Sequence, residues 1–148
     1  TRGKKRNKLV LDPKLLKEVV QTFDGLIMDE SKHAKNASRV GRKVGSIIFR
    51  YCRKISKHAK YVFGLNATPF GINPIDLWGQ MFIVDRGATL GPTLGLFKEA
   101  LFTSTFNGFG LEWKFPKKNS PMLHRMLANC SIRFKADPKT LPKARRIR

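Results

Sequence analysis

The chain has 148 residues, of which 41% are apolar, enough to bury one ordinary core but not two full-sized domains. Lysine and arginine number 30 against 10 aspartates and glutamates, which gives a formal net charge of +20. Such a charge favours a polyanionic partner, with nucleic acid first and an anionic membrane surface second. No apolar run approaches the ~20 residues of a membrane span, and the start lacks a signal peptide's apolar core. We therefore expect an intracellular protein without a membrane partner.

The first predicted elements are a short helix, a strand and a longer helix. Asp12 as N-cap and Pro13 in the first turn predict a helix to about Val20, and the run GLIM at 25–28 predicts a buried strand. Between 37 and 59 the apolar residues recur at helical spacing, which predicts one amphipathic helix. Its predicted apolar stripe is Val40, Val44, Ile47, Ile48, Tyr51 and Ile55.

The opposite face of that predicted helix is basic. We expect either a solvated surface there or contacts with nucleic-acid phosphates. The residues concerned are Arg39, Arg42, Lys43, Arg50, Arg53, Lys54 and Lys57.

The segment KYVFGLNATP, 60–69, predicts a second buried strand that ends at a turn, because Tyr61, Val62 and Phe63 favour strands and Pro69 stops the ladder. Strand, helix and strand in this order imply a parallel crossover. Asn73 as cap and Pro74 predict another helix, followed by a glycine-rich loop and a short amphipathic helix at 94–102. Asn107-Gly108 predicts a hairpin. A last helix from Ser120 and a strand at 131–134 complete the prediction.

The cysteines and histidines do not form a metal-binding pattern. Cys52 and Cys130 lie far apart without a CxxC partner, so we expect both to be reduced core residues. The histidines stand without acids or cysteines at ligand spacing. Trp78 is expected in the core rather than on a stacking surface.

Two adjacent acids, Asp29 and Glu30, directly follow the first predicted strand. An acid pair at the carboxyl end of a parallel strand is a common way for nucleotide hydrolases to hold magnesium and position water. The alternative is that a buried strand simply ends there and polar residues begin.

The acid pair and a later segment together resemble motifs II and III of the Swi2/Snf2 branch of the superfamily 2 helicase-like ATPases. The family's D-E-A-H type motif resembles this sequence at four positions, Asp29, Glu30, Lys35 and Asn36. The family's L-T-G-T-P motif, followed by an acidic residue and L-W, resembles this sequence at Leu65, Thr68, Pro69, Asp76, Leu77 and Trp78. Segments 90–102 and 131–142 also resemble elements of this family, so the resemblance covers most of 23–142. The segment QMFIVDRGATLG, 80–91, looks most like that of phage members of the family.

The resemblance implies a role for each matched residue. Asp29 would hold Mg²⁺ through water, and Glu30 would orient or deprotonate the water that attacks ATP. Asn66 and Thr68 would couple the nucleotide to the nucleic acid, although both are also typical of a turn before proline. The partner would be DNA, with RNA as the alternative. The basic residues at 39, 42, 43, 50, 53 and 57 would line its surface.

The fold implied is α/β, a partial RecA-like parallel sheet flanked by helices with a mostly helical protrusion. The expected divisions are 1–84 for half of an ATPase lobe, 85–129 for the protrusion with its hairpin, and 130–148 for a returning strand and basic tail.

Several positions depart from the family pattern. Lys32 stands where a histidine is usual, Asn66 and Ala67 replace threonine and glycine, and Ile72 replaces asparagine. No G-x-x-x-x-G-K-(S/T) phosphate loop occurs in the chain. We therefore expect part of a first lobe that depends on further helicase lobes, in cis or in trans, and does not hydrolyse ATP alone. The alternative function is a noncatalytic basic nucleic-acid-binding module.

Overall fold

The structure is a computed structural model that describes residues 12–37, 39–40, 43–68 and 73–134, apart from the side chains of the short strands at 39–44. It is of the α/β class, as predicted. The helices are α1 (Pro13–Thr22), α2 (Ile47–Ser56), α3 (Asp76–Asp85), α4 (Leu94–Leu101) and α5 (Ser120–Ala128). The strands are β1 (Gly25–Met28), β2 (Arg39–Val40), β3 (Lys43–Val44), β4 (Tyr61–Gly64), β5 (Thr103–Phe106) and β6 (Leu111–Lys114).

The predicted parallel crossover is confirmed. Strand β1 pairs in parallel with β4, α2 lies between them in the chain, and the last pair in register is Met28 with Gly64. The prediction that both strands are buried is wrong, because one face of this sheet is open. Leu26 and Val62 pack towards the core, whereas Ile27 and Phe63 are 67% and 56% exposed. Parallel strands are buried only when both faces are covered, and the described helices cover one.

Helix α2 is shorter than predicted and buries a different face. It begins at Ile47, because Gly45 takes a left-handed φ of 76° and Ser46 caps the helix by accepting from the Phe49 amide. The predicted helical positions of Val40 and Val44 lie in the antiparallel pair β2–β3 instead. Phe49 is fully buried, whereas Ile48 of the predicted stripe is 48% exposed. The predicted facing was wrong because Phe49, which lies off the predicted stripe, packs against Trp78 and Phe82.

The capping residues predicted the start of α1 correctly and the start of α3 to within two residues. Asp12 caps α1 as predicted, with its carboxylate accepting from the Lys14 amide at 2.9 Å. Helix α3 begins at Asp76, two residues later than predicted. Asn73 nevertheless accepts from the Ile75 amide at 3.1 Å, so it stabilises the turn that leads into the helix.

One hydrophobic core runs through the described chain. Phe49, Trp78 and Leu123 belong to it, so residues on both sides of position 85 share the same core. The prediction for Trp78 is confirmed, and its indole nitrogen donates to the Gly91 carbonyl at 3.1 Å. Cys52 packs against the core, but Cys130 is exposed, so the prediction of a core Cys130 is wrong. Cys130 follows α5, and its sulfur accepts from the Thr89 hydroxyl at 3.3 Å.

The segment after α3 consists of α4, an antiparallel hairpin and α5. The hairpin predicted from Asn107-Gly108 is confirmed, with Phe106 opposite Leu111 beside the turn. Residues 131–134 form no strand, so the returning strand predicted there is wrong within the described part. Ile132 and Phe134 are exposed, and no strand among the described residues pairs with this segment to supply the hydrogen bonds of a ladder.

Arg86 holds the end of α2. It takes a left-handed φ of 60° directly after α3, and its guanidinium donates to the carbonyls of Ser56, Lys57 and Ala59 at 2.8, 3.2 and 3.3 Å. These carbonyls lie where a helix leaves its last acceptors unsatisfied and where its dipole is negative. Arg86 therefore joins the ends of α2 and α3, two helices that pack against each other.

Candidate nucleotide and nucleic-acid site

Asp29 and Glu30 lie at the carboxyl end of β1, beside the carboxyl end of β4. The Asp29 Oδ1 accepts from the Glu30 amide at 2.9 Å. Glu30 has a φ of 52°, which turns the chain sharply into a 3₁₀ helix at Ser31–Ala34. A left-handed glutamate is uncommon, and such strain is a reason to look for function at a strand end.

Glu30 forms an ion pair with Lys32, two residues further along the chain. The Lys32 Nζ lies 2.8 Å from a Glu30 carboxylate oxygen, and both side chains are about half exposed, at 41% and 46%. The hydrogen bond from Lys32, followed by its positive charge, lowers the pKa of Glu30 below the usual value. Glu30 is therefore held ionised, and the Lys32 ammonium contacts one of its two carboxylate oxygens.

A buried polar cluster joins the segment after β1 to the segment after β4. The Ser31 hydroxyl donates to the Gln80 Oε1 at 2.9 Å, and the Asn66 amide group donates to the same oxygen at 3.1 Å. The Asn66 nitrogen also lies 3.4 Å from the Ser31 oxygen. Ser31 and Gln80 are 6% and 4% exposed, so these hydrogen bonds are shielded from water. We call Ser31, Asn66 and Gln80 the polar cluster.

Sequence reasoning identified Asn66 but missed Ser31 and Gln80. Gln80 lies in α3 within the otherwise apolar run LWGQMFIV, and a lone amide in such a run was the available signal that it needs a buried partner. Ser31 is 49 residues away in the chain, and no local pattern points to that pairing.

Two contacts hold the 3₁₀ segment against α3. The Lys35 Nζ lies 2.8 Å from an Asp76 carboxylate oxygen, which links the two motif-like segments. Gly79 lies so close to this segment that a Cβ there would be 2.7 Å from the Lys35 carbonyl oxygen. The Asn36 carbonyl accepts from the Ser46 amide at 2.7 Å, which ties the end of this segment to the start of α2.

The other motif III-like positions are less constrained. Thr68 is exposed near the end of the β4 segment. Pro69 and Ile72 lie outside the described residues.

The fit of this edge to magnesium and ATP is partial. Asp29 is exposed at the strand end and suits a contact to Mg²⁺ through water. Within the described ranges no group of three or more histidines, cysteines and acids is placed to hold a metal ion. The chain has no phosphate loop, so its own residues do not account for binding of the ATP phosphates.

The predicted basic surface is only partly brought together. Arg53 lies 5.1 Å from the centre of the Phe82 ring, so it packs towards α3 instead of facing solvent as predicted. Arg50 is half-buried, and its Nε lies 3.4 Å from the Ser46 carbonyl oxygen. Lys57 is exposed at the end of α2, as is Lys54 within it. The side chains of Arg39 and Lys43, and all of Arg42, lie outside the described part.

The chain matches no known family model, and no curated protein or solved structure shows significant similarity to it. Within the described residues no helix is long and apolar enough to cross a membrane.

Proposed function

We propose that the chain is part of a nucleic-acid-dependent ATPase of the Swi2/Snf2 type and supplies half of a magnesium-ATP site and a basic nucleic-acid surface. Asp29 would contact Mg²⁺ through water, and Glu30 would orient the attacking water once released from Lys32. Asn66 and Thr68 would connect the nucleotide edge to the nucleic acid. The phosphate loop would come from another segment or chain, so the chain alone would not hydrolyse ATP. The sheet would be part of a RecA-like lobe.

The observation that carries this proposal is the polar cluster at the carboxyl edge of a parallel strand pair. Ligands of open α/β sheets bind outside the carboxyl ends of the strands. Ser31 directly follows the acid pair and Asn66 follows β4, and both donate to the buried Gln80 oxygen. A movement of the backbone at the acid pair would therefore change the hydrogen bonds of Asn66, at the start of the motif III-like segment.

Hydrolysis should appear when the missing parts are supplied. The experiment joins the chain to a phosphate-loop half-lobe and a second lobe, in cis or in trans, and measures ATP turnover with and without duplex DNA. Glu30→Gln should abolish most turnover and leave ATP binding intact, whereas Asp29→Asn should weaken magnesium-dependent binding. Glu18→Gln, on the exposed face of α1, is the matched control. Equal turnover with both acids replaced would refute the proposal.

The second candidate is a noncatalytic nucleic-acid-binding module, which the Lys32–Glu30 ion pair favours. A carboxylate whose pKa is lowered by a paired lysine at 2.8 Å is a weaker base. Both candidates predict binding that weakens steeply with salt, because phosphate contacts release counterions. They differ in the assembled ATPase, where Lys32→His should raise turnover if the ion pair restrains a working base. Activity absent from every assembled form would favour the module.

A further inference from the structure

The β5–β6 hairpin ends in a loop that holds one phenylalanine ring in solvent. The Asn107 amide donates to the Gly110 carbonyl at 3.0 Å, and the Asn107 Oδ1 accepts from the Phe109 and Gly110 amides at 3.1 and 3.0 Å. Gly108 takes a φ of 88°, which side chains disfavour. Three hydrogen bonds thus close the loop, and Phe109 near its apex has a relative exposure of 102%.

The surroundings of this ring are open. A Cβ added at Gly108 or Gly110 would meet nothing within 4 Å. The residues on either side of Phe109 therefore contribute no side chain that would obstruct a flat group from lying against its ring. Phe106, Phe109 and Leu111 are all exposed at this end of the hairpin, and grouped exposed apolar side chains mark interaction sites.

An apolar strip connects the tip to the core. Ser104 pairs with Trp113 and Phe106 pairs with Leu111, so alternation places Phe106, Leu111 and Trp113 on the same face. Phe106 is 73% exposed, whereas Trp113 packs against the core at the base of the hairpin. The base is therefore anchored by packing, and the strip runs outward from it to the tip.

The charge around the hairpin is positive. Between 98 and 125 the chain has five lysines and arginines against two acids. The Lys98 Nζ, from α4, lies 5.6 Å from the centre of the ring of Trp113, which belongs to the hairpin. One of the two acids, Glu112, is already 3.6 Å from the Lys114 ammonium. Exposed aromatic rings with surplus cations complement a partner that has flat apolar groups and negative charge.

We propose that the hairpin tip, Phe106 to Leu111, is a stacking surface for unpaired nucleic-acid bases. Phe109 would lie against a base, and Lys98 and Lys114 at the base of the hairpin would contact flanking phosphates. The inference rests on the nucleic-acid binding in the proposed function and adds the recognition of unpaired bases. An apolar protein partner would not use the surplus positive charge, and a lipid surface would not need a single ring held clear on both sides.

The test compares two labelled strands of equal length by fluorescence anisotropy, one with bases and one fully abasic. The protein should bind the strand with bases roughly tenfold more tightly, since one stacked base contributes on that scale. Phe109→Ala should remove this preference and leave abasic binding unchanged, and Phe109→Trp should retain it. Leu15→Ala, which truncates an exposed apolar side chain on α1 instead, should keep the preference.

The outcomes separate this inference from the proposed function. Strand binding with equal affinity for both strands, or unchanged by Phe109→Ala, would overturn the stacking surface and leave nucleic-acid binding standing. No binding of either strand, or of duplex DNA, at low salt would overturn the proposed function as well. Vesicles of phosphatidylserine and phosphatidylcholine form the third arm. If Phe109→Ala weakens binding to vesicles but not to either strand, the tip contacts lipid and the inference is overturned.

Discussion

The Lys35 ammonium lies 2.8 Å from the Asp76 carboxylate, across 41 residues of chain. Lys35 follows the 3₁₀ helix after β1, and Asp76 is the first residue of α3. The pair therefore ties the acid-pair segment to the helix that carries Gln80. Its side chains are 42% and 24% exposed, so water and salt weaken their attraction.

We expect a small contribution to stability from this ion pair. A double-mutant cycle of Lys35→Met and Asp76→Asn should give a coupling of ~0.2–1 kcal/mol in urea unfolding, as is usual for exposed pairs. The coupling should fall as salt is raised. A coupling that is large and independent of salt would show that the pair is shielded from water, against its exposure.

Gly79→Ala should destabilise the protein by ~1–3 kcal/mol, the usual cost of overpacking. The new Cβ would lie 2.7 Å from the Lys35 carbonyl oxygen and 2.9 Å from that of Ala34, so backbone would have to move. Gly95→Ala in α4 is the matched control, because its Cβ would meet only the Thr93 hydroxyl at 3.8 Å. It should be neutral or stabilise by at most ~1 kcal/mol. Urea unfolding of both variants measures the difference, and equal effects would contradict the close approach.

Gln80→Leu should destabilise the protein by ~1–3 kcal/mol, because the Ser31 hydroxyl loses its buried acceptor. Adding Ser31→Ala removes the unsatisfied hydroxyl, so the double variant should be less destabilised than the sum of the single variants. Thermal or urea unfolding measures all three. Strict additivity would indicate that the two side chains do not interact.

Lys32→Met should raise the pKa of Glu30 towards its ordinary value, because the lysine's hydrogen bond and positive charge are what lower it. Because the folded protein lowers this pKa, the ion pair's contribution to stability is present above the unfolded value and is lost as pH falls through the folded value. Wild type should therefore exceed the variant in stability at neutral pH, with the difference shrinking in acid. Carboxyl ¹³C chemical shifts across a pH titration measure the pKa. Lys17→Met on α1 is the control and should leave it unchanged.

The sequence alone determined the elements whose causes are local. Asp12 caps α1 through its own carboxylate, and Asn107 closes the hairpin loop through its own side chain, so both could be predicted. The parallel crossover followed from the order of strand, helix and strand, because that connection has few alternatives.

Only the tertiary structure decided which surfaces are buried and which distant residues meet. Helix α2 has apolar residues on more than one face, and the packing of Phe49 against Trp78 and Phe82 selected the buried one. The Ser31–Gln80 hydrogen bond spans 49 residues, and the open face of β1 and β4 depends on the absence of a covering layer among the described residues. The spacing of residues within one segment predicts neither the long-range hydrogen bond nor the open sheet face, because both depend on how separate elements pack.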